Sequence, residues 1–234
     1  MSAIRLVTFD VTNTIIRVAG GVGQNYAQVA AMYNKRVDPG TLEKAFMSTY
    51  KHYNSKYPNF GTHNGLSSNK WWNLMVKDTF LSAGCDDKDL DSIAQHLYVH
   101  FATEKGWEVI PGAVSVLTKL KETGVTLGVV SNFDERLERI LAQLSLRHYF
   151  QFVLTSVEAK CSKPDSNIFK QALQFVDCRP EEGLHIGDNA LTDYEGATRA
   201  GMKALLYRRQ SKSSPEAVNP EHIVHNLTDV VKLL

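Results

Sequence analysis

The chain lacks any apolar run approaching the roughly 18–20 residues that a membrane-spanning helix needs, so its sequence points to no membrane partner. Cysteine is scarce: Cys85, Cys161 and Cys178 are odd in number and form no C-x-x-C pair. That argues against a disulfide framework and a thiolate zinc site, and points to a reducing, intracellular and cytoplasmic setting. Neither sign of charge is in excess, with Lys+Arg 26 against Asp+Glu 25 and a formal net charge of +1. A strongly basic nucleic-acid surface and an acidic tail are therefore not expected. No internal repeat or low-complexity stretch stands out. The first residues, Met1-Ser2-Ala3-Ile4-Arg5, lead straight into an apolar run from Leu6 to Phe9, so no signal or transit peptide is expected.

What is present is a globular composition, 43% hydrophobic and 22% charged over 234 residues. A five-strand α/β sheet with its helices takes roughly 130–150 residues, which leaves a surplus to place. Short apolar runs at residues 4–9, 125–130, 152–155, 184–186 and 203–207 read as strands. Helical patterns alternate with the later ones: residues 112–122 end at Thr123-Gly124, Leu137, Ile140, Leu141 and Leu144 share a face, Phe169, Leu173 and Val176 recur, and Ala190 to Ala200 stops at Gly201. Such alternation predicts a parallel sheet with helices on both faces. Residues 17–105 break it with four helical faces. These are Tyr26, Val29, Ala30 and Tyr33; Leu42, Phe46 and Tyr50; Trp72, Met75, Val76 and Phe80; and Ile93, Leu97 and Phe101. A polar stretch from Pro58 to Ser68 reads as the loop between the second and third. The expected organisation is an α/β core of residues 1–16 and 106–234, with a helical, four-helix-bundle-like insertion at 17–105.

In open α/β sheets, ligands bind beyond the carboxyl ends of the strands. Asp10 ends the first strand, where the bland alternative is a turn or helix cap. Ser131-Asn132 ends the second; a hydroxyl and backbone N–H groups there can hold a phosphate oxygen, or merely cap a helix. Lys163 follows the third and could offset charge on an oxyanion, though most lysines are simply exposed. Gly187-Asp188 and Asp193 follow the fourth, and two carboxylates so spaced can converge on one hard cation. Each bland alternative is respectable alone. Four coincidences at the ends of four strands of one sheet favour one shared site.

The ordered set of Asp10, Ser131, Lys163 and Gly187-Asp188 with Asp193 resembles the haloacid dehalogenase superfamily of hydrolases, over essentially the whole chain. Phe60-Gly61 with Trp71-Trp72, Ser131-Asn132-Phe133-Asp134 and Gly187-Asp188-Asn189 are similar to segments of one member in particular. The resemblance implies a Rossmann-like core with a type 1 cap that closes over the site. It implies a catalytic set of Asp10, Ser131, Lys163 and Asp188, with Asp10 attacking a small phosphorylated substrate to form an aspartyl-phosphate. Mg²⁺ would be held by Asp10, the Thr12 backbone carbonyl, Asp188 and Asp193. Thr12, Ser131, Asn132 and Lys163 would bind phosphate. One departure matters: the family's phosphatases usually carry a second Asp where Thr12 stands, as acid and then base, an effect worth about 10²–10⁴-fold. A non-catalytic phosphate binder and a metal-independent 2-haloacid dehalogenase stay open as alternatives.

Other features carry blander expectations. Trp71-Trp72 suggests base stacking, but at helical spacing at least one belongs to a core. His96 and His100 lie four apart without a third ligand and read as solvated. Tyr26, His63, Asn64 and Lys70 are cap residues placed to select substrate. Arg208, Arg209 and Lys212 read as a solvated loop. Cys161 reads as structural rather than redox-sensitive.

Overall fold

A computed structural model describes residues 3–209 and 218–233; Lys212 lies outside them. The chain divides into two compact units, residues 1–17 with 109–234, and residues 18–108.

In the first unit, six strands form one parallel sheet. They are β1 (Leu6–Phe9), β4 (Thr126–Ser131), β5 (Phe152–Thr155), β6 (Gly183–Gly187), β7 (Lys203–Tyr207) and β8 (Ile223–Val224), in the order β5-β4-β1-β6-β7-β8. β1 is buried along its whole length, as a strand covered on both faces must be. It pairs with β4 through Phe9↔Val129 and with β6 through Phe9↔Ile186. The residues that follow these three strands therefore emerge side by side. Flanking the sheet are α5 (Ala113–Glu122), α6 (Leu137–Gln143), α7 (Ser156–Ala159), α8 (Ser166–Gln174) and α9 (Gly196–Arg199). One core cluster joins Leu6, Val130, Ile168, Phe169 and Ala197.

The sheet has one strand more than the five expected. β8 is only two residues long, too short to show a period, and it pairs parallel to β7 through Tyr207↔Val224. The helix expected over residues 190–200 is instead a π-helical turn, Ala190–Glu195, followed by α9. Arg208 is half-buried, with its backbone N–H donating to the Val224 carbonyl at 2.8 Å, so it extends the strand edge instead of lying in a solvated loop.

The second unit is helical: α1 (Val22–Ala31), α2 (Pro39–Lys56), α3 (Ser68–Ser82) and α4 (Leu90–His100). Successive helices pack together and α1 also packs on α4. Asp38 caps α2 by accepting from the Thr41 N–H at 2.7 Å, and Ser67 caps α3 through the Lys70 N–H at 3.2 Å. Gly23 lets α1 lie against α2, because a Cβ there would meet the Pro39 carbonyl oxygen at 2.0 Å. Trp71, not Trp72, belongs to the buried α3 face with Met75, Val76 and Phe80. Trp72 is half-buried against Tyr50 and Phe60. Tyr26 is buried and stacked on Phe80, so it is a core residue and not a selector, whereas His63, Asn64 and Lys70 are exposed. The stretch expected as a loop contains a 3-10 turn, Asn59–Asn64. His100 is half-buried with Nε2 against Asn25 Oδ1 at 2.7 Å, and burial pushes its pKa down, so it is a packed residue and not a solvated one.

Two further short strands, β2 (Ile16–Val18) and β3 (Trp107–Val109), pair in a separate two-stranded sheet. Among the described residues no helix is long and apolar enough to cross a membrane.

Candidate active site

The site is built from the turn after β1. The Asp10 N–H donates to the Ile186 carbonyl at 2.8 Å, continuing the β1–β6 ladder one step, and the chain then folds back. Ile15 and Ile16 both donate to the Val11 carbonyl, at 2.9 and 3.0 Å, and Thr12, half-buried, bridges to Ile16. Asn13 sits in the left-handed region at φ 61°, a conformation that Asn adopts more readily than most residues. The turn holds Asp10 buried at the carboxyl edge of the sheet.

Three chain segments meet Asp10. At the end of β4, Ser131 Oγ donates to Asp10 Oδ1 at 2.9 Å. Beyond β5, Lys163 is buried and not an exposed loop lysine. Its Nζ donates to Asp10 Oδ1 at 2.7 Å, Asp193 Oδ1 at 2.6 Å and the Val130 carbonyl at 2.9 Å. Three acceptors match the three N–H bonds of an ammonium. Asn132 fixes the backbone beneath this lysine: its Nδ2 donates to the Lys163 carbonyl at 2.9 Å and its Oδ1 accepts from the Lys163 N–H at 2.8 Å. The Asn132 carboxamide is engaged at both ends in positioning Lys163.

After β6, Asn189 caps the π-helical turn, accepting from the Leu191 and Thr192 N–H groups at 3.0 Å each. The Asn189 N–H in turn donates to Asp193 Oδ2 at 2.9 Å. π-turns are frequent at functional sites, and this one swings Asp193 back over Gly187. One carboxylate oxygen each from Asp10, Asp188 and Asp193 lies within 4.8 Å of the others, with Asp188 half-exposed and the other two buried. These are hard oxygen donors, the type that Mg²⁺ takes. Three carboxylates against one ammonium leave net negative charge that a divalent cation would balance, so the residues fit such an ion. Both Asp193 oxygens already hold protein groups, one Lys163 and the other Asn189.

The electrostatics follow from burial. Burial raises the Asp10 pKa, and the opposing Lys163 charge does not fully cancel it. Burial would lower the pKa of Lys163, but the Asp10 and Asp193 carboxylates more than offset it and hold the ammonium. Burial would likewise raise Asp193, yet Lys163 and His185 together keep it well below the usual carboxylate range. His185, on β6, is wholly buried, and burial pushes its pKa down.

Sequence reasoning missed His185 and Thr8. The signal was a His inside an apolar strand, at even spacing from the strand end, as Thr8 is from Asp10. The buried bidentate pair of Arg136 with Asp134, Nε–Oδ1 2.8 Å and Nη2–Oδ2 2.6 Å, was also missed; it stiffens the loop after Ser131-Asn132. Cys161 is half-buried with its thiol pKa pushed up by burial, unlike a reactive thiolate.

A family model described as haloacid dehalogenase-like hydrolase matches residues 4–201. Among curated proteins, the human haloacid dehalogenase-like hydrolase domain-containing protein 3 is 38% identical over 99% of this chain and 94% of its own. Among solved structures, a 2-haloacid dehalogenase from Pseudomonas syringae pv. Tomato superposes with a TM-score of 0.69 at 23% identity, covering 98% of this chain and 97% of that one. The putative hydrolase YfnB from Bacillus subtilis, bound to magnesium, superposes with a TM-score of 0.72 at 18% identity, covering 99% of both chains.

Proposed function

Because the chain belongs to the haloacid dehalogenase-like hydrolases, we propose that this hydrolase cleaves a small phosphorylated substrate, with Asp10 as nucleophile and Mg²⁺ as cofactor. The observation that carries the proposal is the convergence of Asp10, Asp188 and Asp193 within 4.8 Å of one another around the buried Lys163. A phosphate dianion approaching this excess of carboxylate would be repelled. Asp10, Asp188 and the Thr12 backbone carbonyl would hold Mg²⁺, with Asp193 beside them. When bound, the ion would supply charge neutralisation for the phosphate and a template for in-line approach. A metal-free 2-haloacid dehalogenase would leave the Asp188 and Asp193 charges without that purpose.

The chain's own residues divide the work. The Asp10 carboxylate attacks phosphorus, the bond from phosphorus to the leaving oxygen breaks, and an aspartyl-phosphate forms on Asp10. Water then attacks phosphorus, the bond to Asp10 breaks, and inorganic phosphate leaves. Lys163 and Ser131 fix the Asp10 carboxylate at Oδ1. Asn132 and Asp193 hold Lys163 from its backbone and its ammonium end. The helical unit, residues 18–108, would serve as the substrate-selecting cap that the family resemblance implies.

Thr12 sets the limit. A hydroxyl cannot serve as the acid that protonates the leaving group, nor as the base that activates water. The favoured substrates are therefore those with a good leaving group, acyl phosphates and acidic phosphomonoesters. The test is phosphate release from a panel of both, with and without Mg²⁺. Turnover that needs Mg²⁺ and favours acidic leaving groups is the expected result. No turnover of any substrate together with no metal binding would falsify the enzymatic proposal, and would leave a phosphate-binding protein.

A further inference from the structure

We propose that His185 is a positioning residue for the Asp10 centre, held in one tautomer by Thr8 and acting through Asp193 on Lys163. The kinetic part of its test rests on the hydrolytic function proposed above; the spectroscopic part does not.

Thr8 and His185 are opposite one another in the parallel β1–β6 register, and both are wholly buried. Thr8 Oγ1 lies 2.8 Å from His185 Nδ1 and 3.5 Å from the Leu184 carbonyl oxygen. Asp193 Oδ1, 3.3 Å from His185 Nε2, belongs to an ionised carboxylate that can only accept. The proton of a neutral ring therefore belongs on Nε2, and Thr8 donates to Nδ1. The same Asp193 oxygen accepts from Lys163 Nζ at 2.6 Å, and Lys163 donates to Asp10 Oδ1 at 2.7 Å. The path leaves β1 at Thr8 and returns to the chain at Asp10, two positions on and therefore on the same face of the sheet.

A histidine serving only as core filler would be a costly choice, because its ring nitrogens lose water on burial. Here both nitrogens have partners, and the Phe169 ring closes the side with an edge-on contact at 5.0 Å between centroids. Conserving the Nε2–H direction is the task Thr8 performs, in the way an outer partner fixes the tautomer of a liganding histidine. With that proton removed, Asp193 Oδ1 keeps only Lys163, and the carboxylate and ammonium can turn together away from Asp10.

The test combines histidine and lysine nitrogen NMR of the full chain with kinetics. In the wild type, His185 should show the neutral Nε2–H tautomer, and Thr8→Val should mix the tautomers. His185→Leu should shift the Lys163 Nζ signal and lower kcat by about 10-fold, with KM changed less than about twofold. His185→Gln places an amide N–H near the position of Nε2–H, and should recover most of the turnover and the Nζ signal. If His185→Leu does not fold, Thr8→Val and His185→Gln carry the same comparison. A wild-type Nδ1–H tautomer, or a Lys163 signal indifferent to both Thr8→Val and His185→Leu, overturns the proposal. Absence of turnover in the wild type would count against the hydrolytic function alone, since the NMR arm still decides the role of His185.

Discussion

Gly187 and Asp193 compete for one volume: a Cβ on residue 187 would lie 2.2 Å from Asp193 Cγ. No side chain other than hydrogen fits at position 187 while the carboxylate keeps its place. Gly187→Ala should therefore displace Asp193, destabilise the protein by about 1–3 kcal/mol as overpacking does, and loosen Lys163. Urea unfolding measures the first effect and phosphate release the second. A variant as stable and active as the wild type would show that Asp193 has room to move.

Lys163→Met removes the cation from between two buried carboxylates. Breaking a buried ion pair by deleting one partner costs about 3–5 kcal/mol, because the remaining charges are left uncompensated. Combining it with Asp193→Asn should return part of that loss, which a double-mutant cycle on denaturant unfolding would measure.

Mg²⁺ should raise the thermal midpoint by mass action, since an unfolded chain does not assemble the carboxylate cluster. The shift should vanish on chelation. Asp188→Asn, which touches the half-exposed ligand rather than the buried pair, should abolish it while leaving the metal-free midpoint within a few degrees. A midpoint shift that survives the substitution would place the ion elsewhere.

Glu182 should account for part of the acid sensitivity. Arg179 donates to it from Nη2 at 2.9 Å and from its backbone at 3.0 Å, and these bonds hold its pKa down to about 2. The folded value lies below that of the unfolded chain. Its contribution is therefore fully present above about pH 4.3, the ordinary value for Glu, and is lost as pH falls through the folded value. Thermal midpoints measured down the acid range should fall less steeply for Glu182→Gln than for the wild type.

Asp134→Ala should be among the more damaging changes away from the carboxylate cluster. It removes the bidentate carboxylate partner of the buried Arg136 guanidinium, again at a cost of about 3–5 kcal/mol. Double replacement of Asp134 and Arg136 by apolar residues should be milder than the single change.

The parallel sheet was legible because its strands are continuous apolar runs that end in polar residues, as strands buried on both faces must. The same rule explains why Asp10, Ser131, Lys163, Asp188 and Asp193 could be read as neighbours: ligand groups gather at the carboxyl ends of such strands, and the structure does bring them together. What escaped was information that requires register. Thr8 and His185 meet only because β1 and β6 pair as they do, and no single-strand pattern states that pairing. The hold of the Asn132 carboxamide on the Lys163 backbone escaped because the two lie 31 residues apart in sequence. Trp71 and Trp72 were confused because one residue is about 100° of helix rotation, and both edges of the α3 face are apolar. β2, β3 and β8 are two or three residues each, below the length at which alternation can be seen.

The burial of Trp71 has a practical consequence. All three tryptophans, at positions 71, 72 and 107, lie within residues 18–108. Intrinsic tryptophan fluorescence therefore reports on the helical unit, while the unit that carries Asp10 contributes no tryptophan emission. Melting followed by fluorescence and by circular dichroism gives superimposable curves only if the two units unfold as one cooperative body. The chain thus carries a built-in optical label for asking whether its two halves come apart separately.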